Sequence, residues 1–262
     1  MTRETVTVVE VGLRDGLQML SQTMSTESKL AWMTAEQASG VRHFEVGSFV
    51  SAKLLPQMAD AASVVGAAKR LPIRVAALVP NVKGAMAAME AGADVLVVPV
   101  SVSEGHSRAN VRKTPDEMVD MVRQISALRD AAPRPVHIHA GLSTAFGCTI
   151  QGDVPESEVE RIAVACAEAG ADAIGLADTV GYANPEQVRR LFKLARAAAG
   201  DRVNSAHFHD TRGTGLANVV AALDVGIRSF DASLGGAVAL MRRERAATSL
   251  PKISHSCSRR WE

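Results

Sequence analysis

Four stretches of this chain repeat one pattern: a glycine, a few turn residues, then an apolar run. They are Gly40-Val41-Arg42-His43-Phe44-Glu45-Val46, Gly92-Ala93-Asp94-Val95-Leu96-Val97-Val98, Gly170-Ala171-Asp172-Ala173-Ile174-Gly175-Leu176 and Gly226-Ile227-Arg228-Ser229-Phe230-Asp231-Ala232. Glycine just past a helix takes the left-handed conformation without a Cβ clash, so each stretch reads as a helix end followed by a strand. Between them lie four more apolar runs, Val6 to Val11, Ile73 to Val79, Val136 to Ala140 and Val203 to Phe208. Eight strands emerge. Ala-rich segments of helical period follow them, among them Pro115 to Asp130, Pro155 to Ala169 and Pro185 to Ala199, each with proline at the helix start. Strands that alternate with helices pair in parallel through right-handed crossovers, and eight such units predict an α/β fold closed as a (β/α)8 TIM barrel. No Gly-x-Gly-x-x-Gly turn follows the first strand, which argues against a dinucleotide-binding sheet.

Composition narrows the function. The chain has 262 residues, 47% of them hydrophobic, which suits one large core, and its formal net charge is +1. That balance carries no electrostatic footprint for nucleic acid or an anionic membrane. Small-molecule chemistry is the expectation. Cys148, Cys166 and Cys257 are too few and too scattered for a disulfide framework or a cysteine-rich zinc site. No apolar run approaches the ~20 residues of a membrane span, and the N-terminus lacks the apolar core of a leader, so a cytoplasmic protein is expected.

In such a barrel the site forms where strands end, on the C-terminal face. The first strand delivers Arg14 and Asp15 there, the second Glu45 and Ser48, the fifth His137 and His139, the sixth Asp178 and Thr179, and the seventh His207 and His209. Alternation along a strand puts His207 and His209 on one face and Phe208 on the other. Asp15 with these two imidazoles offers a mixed oxygen and nitrogen ligand set that suits Mg²⁺, Mn²⁺ or Zn²⁺. Such a cation polarises a carbonyl and acidifies a bound hydroxyl, which eases making or breaking a C–C bond beside it. Arg14 keeps its charge and suits a developing enolate oxygen. Glu45 and Asp178 are expected to orient Arg14 or the metal ligands. His137 and His139 read as polar lining, Cys148 as lining, and Cys166 as core.

These residues match a known pattern. The chain resembles 3-hydroxy-3-methylglutaryl-CoA lyase and the related metal-dependent barrel lyases and synthases. The resemblance runs from about Val9 to Gly236. It rests on Arg14-Asp15-Gly16-Leu17-Gln18, Glu45-Val46-Gly47-Ser48-Phe49-Val50-Ser51, Pro56-Gln57-Met58-Ala59-Asp60, Pro80-Asn81-Val82-Lys83-Gly84, Gly175-Leu176-Ala177-Asp178-Thr179-Val180-Gly181 and His207-Phe208-His209-Asp210-Thr211. It implies that Asp15, His207 and His209 hold a divalent cation, Mg²⁺ or Mn²⁺ first. It implies Arg14, Glu45, Asp178 and His207 as catalytic residues, with Gln18, Ser48 and Thr179 meeting substrate. The implied reaction is retro-Claisen cleavage of an acyl-CoA to acetyl-CoA and a keto acid, acetoacetate for the parent substrate, as in leucine catabolism. A lyase for another 3-hydroxyacyl-CoA such as citramalyl-CoA, a Claisen-type synthase, and a non-catalytic remnant that binds metal or CoA are the alternatives. A homodimer is the expected assembly if the barrels pair.

The resemblance breaks after Gly236. The family continues with a Gly-Gly-Cys-Pro loop and a Gly-Asn pair, whose cysteine is the proposed proton donor and whose asparagine is a fourth metal ligand. Here the chain reads Ala237-Val238-Ala239-Leu240-Met241-Arg242-Arg243-Glu244-Arg245, and Cys257 stands in the wrong context to replace that cysteine. Rebuilding each codon from the third base of the preceding codon and the first two of its own, with permitted codon choices, turns Ala237 to Ile253 into Gly-Gly-Cys-Pro-His-Ala-Pro-Gly-Ala-Ser-Gly-Asn-Ile-Val-Thr-Glu-Asp. That is the family motif. The expectation is a lyase barrel over residues 1–236 and a frameshifted, poorly ordered, non-family tail over 237–262, with activity impaired and the last helix altered or lost. Departures at Met19-Leu20 and from Pro99 to Ser103 leave the acyl preference open.

Overall fold

The computed structural model describes residues 5–234. The expected tail, its Cys257 and the last helix of the barrel lie outside the described residues.

Eight parallel strands close in chain order, with β8 pairing back onto β1. They are β1 (Thr7–Glu10), β2 (His43–Ser48), β3 (Arg74–Leu78), β4 (Val95–Ser101), β5 (His137–Ser143), β6 (Ala173–Asp178), β7 (Val203–Phe208) and β8 (Ser229–Ala232). The helices are α1 (Thr26–Ala38), α2 (Ala61–Ala68), α3 (Val82–Ala91), α4 (Glu104–Val111), α5 (Pro115–Asp130), α6 (Glu156–Glu168), α7 (Pro185–Ala199) and α8 (Gly215–Asp224). The four repeated glycines all adopt the conformation their position demands, with φ of +110° at Gly40, +105° at Gly92, +95° at Gly170 and +88° at Gly226. Helix starts are set by side chains: Ser25, Asn81, Ser103 and Asn184 each accept a backbone N–H, and Thr114 with Glu117 forms a reciprocal box at α5.

The hydrophobic core lies between barrel and helices. Outward residues of the strands, such as Phe44, Val75, Leu96, Ile138, Ile174 and Val203, are fully buried against Val64, Val122, Ile162 and Phe192 of the helices. Cys166 belongs to this layer, and burial pushes its thiol up to about 12. Inside the barrel the composition is different. Small and polar residues face the axis, among them Ala76, His139, Gly141, Gly175, Ser205 and Asp231. The lumen and its C-terminal mouth form one cavity of about 1290 Å³.

Candidate active site

The ends of β2, β6, β7 and β8 and one turn after β1 build the site. Beyond β1 the chain winds into a wide π-helical turn over Gly12–Gly16, in which the N–H groups of Arg14 and Asp15 both reach the Val11 carbonyl, at 3.1 and 2.7 Å. Turns of this width recur at functional sites because they place consecutive side chains where a regular helix would not. Here the turn brings Arg14 and Asp15, 8% and 6% exposed, into the mouth.

Arg14 is held as a fork. Its Nε and Nη2 donate to the two oxygens of Glu45, each at 2.8 Å, and its Nη1 donates to Asp15 Oδ1 at 2.8 Å. Burial works against the guanidinium charge, but Glu45 and Asp15 outweigh it and hold the group above its ordinary pKa. Gln18 donates to the same Asp15 oxygen at 3.1 Å. Burial likewise opposes the Asp15 charge, yet Arg14 and the two imidazoles hold its carboxyl well below the usual carboxylate range.

The other Asp15 oxygen, Oδ2, is buried without a hydrogen-bond partner. The Nε2 atoms of His207 and His209 each stand 3.7 Å from it and 3.1 Å from one another. Their remaining nitrogens are committed elsewhere. His209 Nδ1 lies 2.7 Å from the Thr179 carbonyl, which only accepts, so Nδ1 carries the hydrogen. His207 Nδ1 donates to Asp231 Oδ2 at 2.8 Å. Three acceptor lone pairs therefore converge on one point. A cation placed there would satisfy the orphaned oxygen and remove the repulsion between the two nitrogens, so the residues fit a divalent metal ion. Among the described residues this is the group of His, Cys, Asp and Glu with metal-ligand spacing. Burial lowers the affinity of His207 for a proton, but Asp231 and Asp15 outweigh it and raise its pKa.

The structure brings most of the sequence-predicted residues together. Arg14, Asp15, Gln18, Glu45, Ser48, Thr179, His207 and His209 all line the cavity. Asp178 does not. It points outward from β6, fully buried, and its carboxylate accepts the N–H groups of Tyr182 at 2.8 Å and Ala183 at 3.1 Å. Its place is beneath the loop after β6, because alternation sends its neighbours Ala177 and Thr179 inward instead. Cys148 is also not lining. Its sulfur accepts from Ser103 Oγ at 3.1 Å and from the N–H groups of Ile150 and Gln151, which ties a turn together. His139 is lining as expected, with its Nε2 3.0 Å from Ser205 Oγ.

Asp231 was missed. The signal was present, since Phe230-Asp231-Ala232 ends the last strand and puts a carboxylate at an inward position next to the strand that carries His207.

The HMGL-like family model matches residues 5–246. The chain belongs to the HMGL-like family. A hydroxymethylglutaryl-CoA lyase of Bacillus subtilis is 40% identical over 232 residues, 88% of this chain and 77% of that protein. An (R)-citramalyl-CoA lyase of Chloroflexus aurantiacus is 37% identical over 246 residues, 89% of this chain and 76% of its own. Among solved structures, an HMG-CoA lyase from Acinetobacter baumannii in complex with coenzyme A and 3-methylmalate superposes with a TM-score of 0.82 at 36% identity, covering 88% of this chain and 75% of that one. HMGL-like relatives thus include lyases for more than one 3-hydroxyacyl thioester.

Proposed function

We propose that this HMGL-like chain is a divalent-metal-dependent acyl-CoA lyase that cleaves the C2–C3 bond of a 3-hydroxyacyl-CoA, with 3-hydroxy-3-methylglutaryl-CoA the first substrate and acetyl-CoA and acetoacetate the products. The observation that carries this reading is the unpartnered Asp15 Oδ2 facing two imidazole nitrogens beside a guanidinium. Asp15, His207 and His209 would hold Mg²⁺ or Mn²⁺, with Zn²⁺ an alternative, and the cation would polarise the substrate oxygens and acidify the C3 hydroxyl.

The residues supply the rest. The C3 hydroxyl loses its proton, the C2–C3 electron pair moves to C2 and the thioester oxygen, and a proton then reaches C2. His207 would keep Nε2 on the cation and its Nδ1–H on the Asp231 carboxylate, which strengthens it as a ligand and holds the C3 oxygen in place, while the hydroxyl proton passes to water at the open mouth of the cavity. With its fork on Glu45 and Asp15, Arg14 retains one N–H on each terminal nitrogen to meet the enolate oxygen. Gln18, Ser48 and Thr179 line the walls against which the acyl group lies. Asp178 positions the loop that follows Thr179. At the rim Arg112 and Lys113 suit the phosphates of coenzyme A. No helix among the described residues is long and apolar enough to cross a membrane. A cytoplasmic location and a homodimer are part of the proposal.

The reading includes a break in the frame near Gly236, so that residues 237–262 stand in place of the family's cysteine loop. Turnover of the chain as written is then impaired. A non-catalytic remnant that binds metal or CoA is the second reading, and the altered tail is the observation that favours it. The test presents 3-hydroxy-3-methylglutaryl-CoA and citramalyl-CoA with Mg²⁺ or Mn²⁺ to this chain and to a frame-restored chain. Release of acetyl-CoA, greater in the restored chain, supports the lyase. Consumption of acetyl-CoA points to a synthase, and metal binding without turnover in either chain supports the remnant.

A further inference from the structure

The metal-binding turn is anchored from outside the barrel. β1 alternates, so Thr7 and Val9 face the lumen while Glu10 faces away from it. Glu10 is nonetheless only 5% exposed. Its Oε1 accepts the N–H of Gly12, at 2.5 Å, which is the first residue of the turn that carries Arg14 and Asp15. The N–H of Leu234, just past β8, donates to the same carboxylate, at 3.1 Å to Oε2 and 3.4 Å to Oε1. One side chain thus joins the start of the Asp15 turn to the exit of the strand that carries Asp231.

The surroundings are built to this carboxylate. A Cβ on Gly12 would lie 2.5 Å from Glu10 Oε1, 3.0 Å from Ser233 Oγ and 3.0 Å from the Trp32 ring, so no side chain fits at that position. The carboxyl group of Glu36 on α1, itself buried, lies beside that of Glu10. The backbone ladder joins β1 to β8 as far as Glu10 and Ala232 and ends with Val11 N donating to the Ala232 carbonyl at 2.8 Å; the Glu10 side chain carries the link past that point, to Gly12 and Leu234.

We propose that Glu10 is a positioning residue for the metal site: it fixes the Asp15 turn against β8, so that Asp15 from one side and the His207 that Asp231 orients from the other meet at the distance a single cation requires. The inference rests on the reading of Asp15, His207 and His209 as a cation site. The ionised carboxylate offers acceptors to both N–H groups, whereas an amide at the same place would turn an NH₂ toward one of them.

The test is Mn²⁺ binding to the 262-residue chain, followed by electron paramagnetic resonance of the free ion and by calorimetry, alongside thermal melts. E10A is expected to weaken Mn²⁺ about tenfold, as loss of a group that orients metal ligands does, and isosteric E10Q to weaken it severalfold. R129M serves as the stability control, because Arg129 bridges α5 to the Gly170 carbonyl and Asp172 ahead of β6, at the opposite end of the barrel. It should lower the melting temperature and leave Mn²⁺ affinity unchanged. Mn²⁺ affinity in E10A and E10Q equal to that of the parent, whatever happens to their melts, would overturn the inference while leaving the metal site standing. A parent chain that binds no Mn²⁺ would overturn the site itself and the inference with it.

Discussion

His207 Nδ1 donates to Asp231 Oδ2 at 2.8 Å, which leaves the lone pair on its Nε2, 3.1 Å from Nε2 of His209, facing the same point as Asp15 Oδ2. Asp231 therefore selects the tautomer that turns a lone pair toward Asp15. An Asp231→Asn variant keeps the shape but lets the amide NH₂ face Nδ1, which favours the opposite tautomer. Mn²⁺ affinity should fall roughly 10–100-fold by calorimetry, with the fold retained in circular dichroism. Unchanged affinity would show that Asp231 has no part in orienting the ligand.

Arg14 and Glu45 form a buried pair, 8% and 3% exposed, and the two halves need each other. Removing the cation by Arg14→Met leaves the Glu45 carboxylate buried without its partner, and urea denaturation should show a loss of roughly 3–5 kcal/mol. Arg14→Lys keeps the charge and loses the fork. It should retain most of the stability while lowering kcat of the frame-restored chain by about 10²-fold or more.

Stability should also carry the titration of Glu10. Burial, with Glu36 beside it, pushes this carboxyl up from 4.5 to about 7 against the N–H groups that it accepts. The folded chain therefore keeps a proton that the unfolded chain releases above about 4.5. The stability gained from that proton is complete below the unfolded value and is lost as pH rises through 7. Glu10→Gln cannot titrate, so the melting temperature of the parent relative to this variant should drop between pH 5 and pH 7.5. A constant difference across that range would mean that Glu10 ionises at its ordinary value.

The reading frame makes its own prediction. Val6, just ahead of β1, and Val8 on it stand 41% and 48% exposed, apolar surface that a further helix on this wall of the barrel would cover. Restoring the frame after Gly236 should raise the melting temperature and the rate of acetyl-CoA release together. Nucleotide sequencing that returns an unshifted frame through Met241-Arg242-Arg243 would remove the idea.

Much of the barrel was legible because its punctuation is local. Pro115 to Asp130 and Pro185 to Ala199 are α5 and α7 to the residue, and Val203 to Phe208 is β7, since a helix-starting proline and a closing glycine act within a few residues. The short α4, Glu104–Val111, was not read, because Ser103-Glu104-Gly105-His106 has no apolar period to betray it. At the site, Asp15, His207 and His209 could be found from strand ends alone. Val11 was read as strand and instead begins the wide turn, so the reach of Arg14 back to Glu45 became visible only in three dimensions. Asp178 shows the limit most clearly: its position in sequence is beside the site, but the parity of β6 turns its carboxylate to the loop.

The most direct test of the metal centre is titration of the protein with Mn²⁺, comparing the parent chain with Asp15→Ala, His207→Ala and His209→Ala. One bound ion per chain, with affinity lost by about 100-fold or more in each variant, is the predicted result. Equal Mn²⁺ binding by the parent and all three variants, with their folds intact, would contradict it.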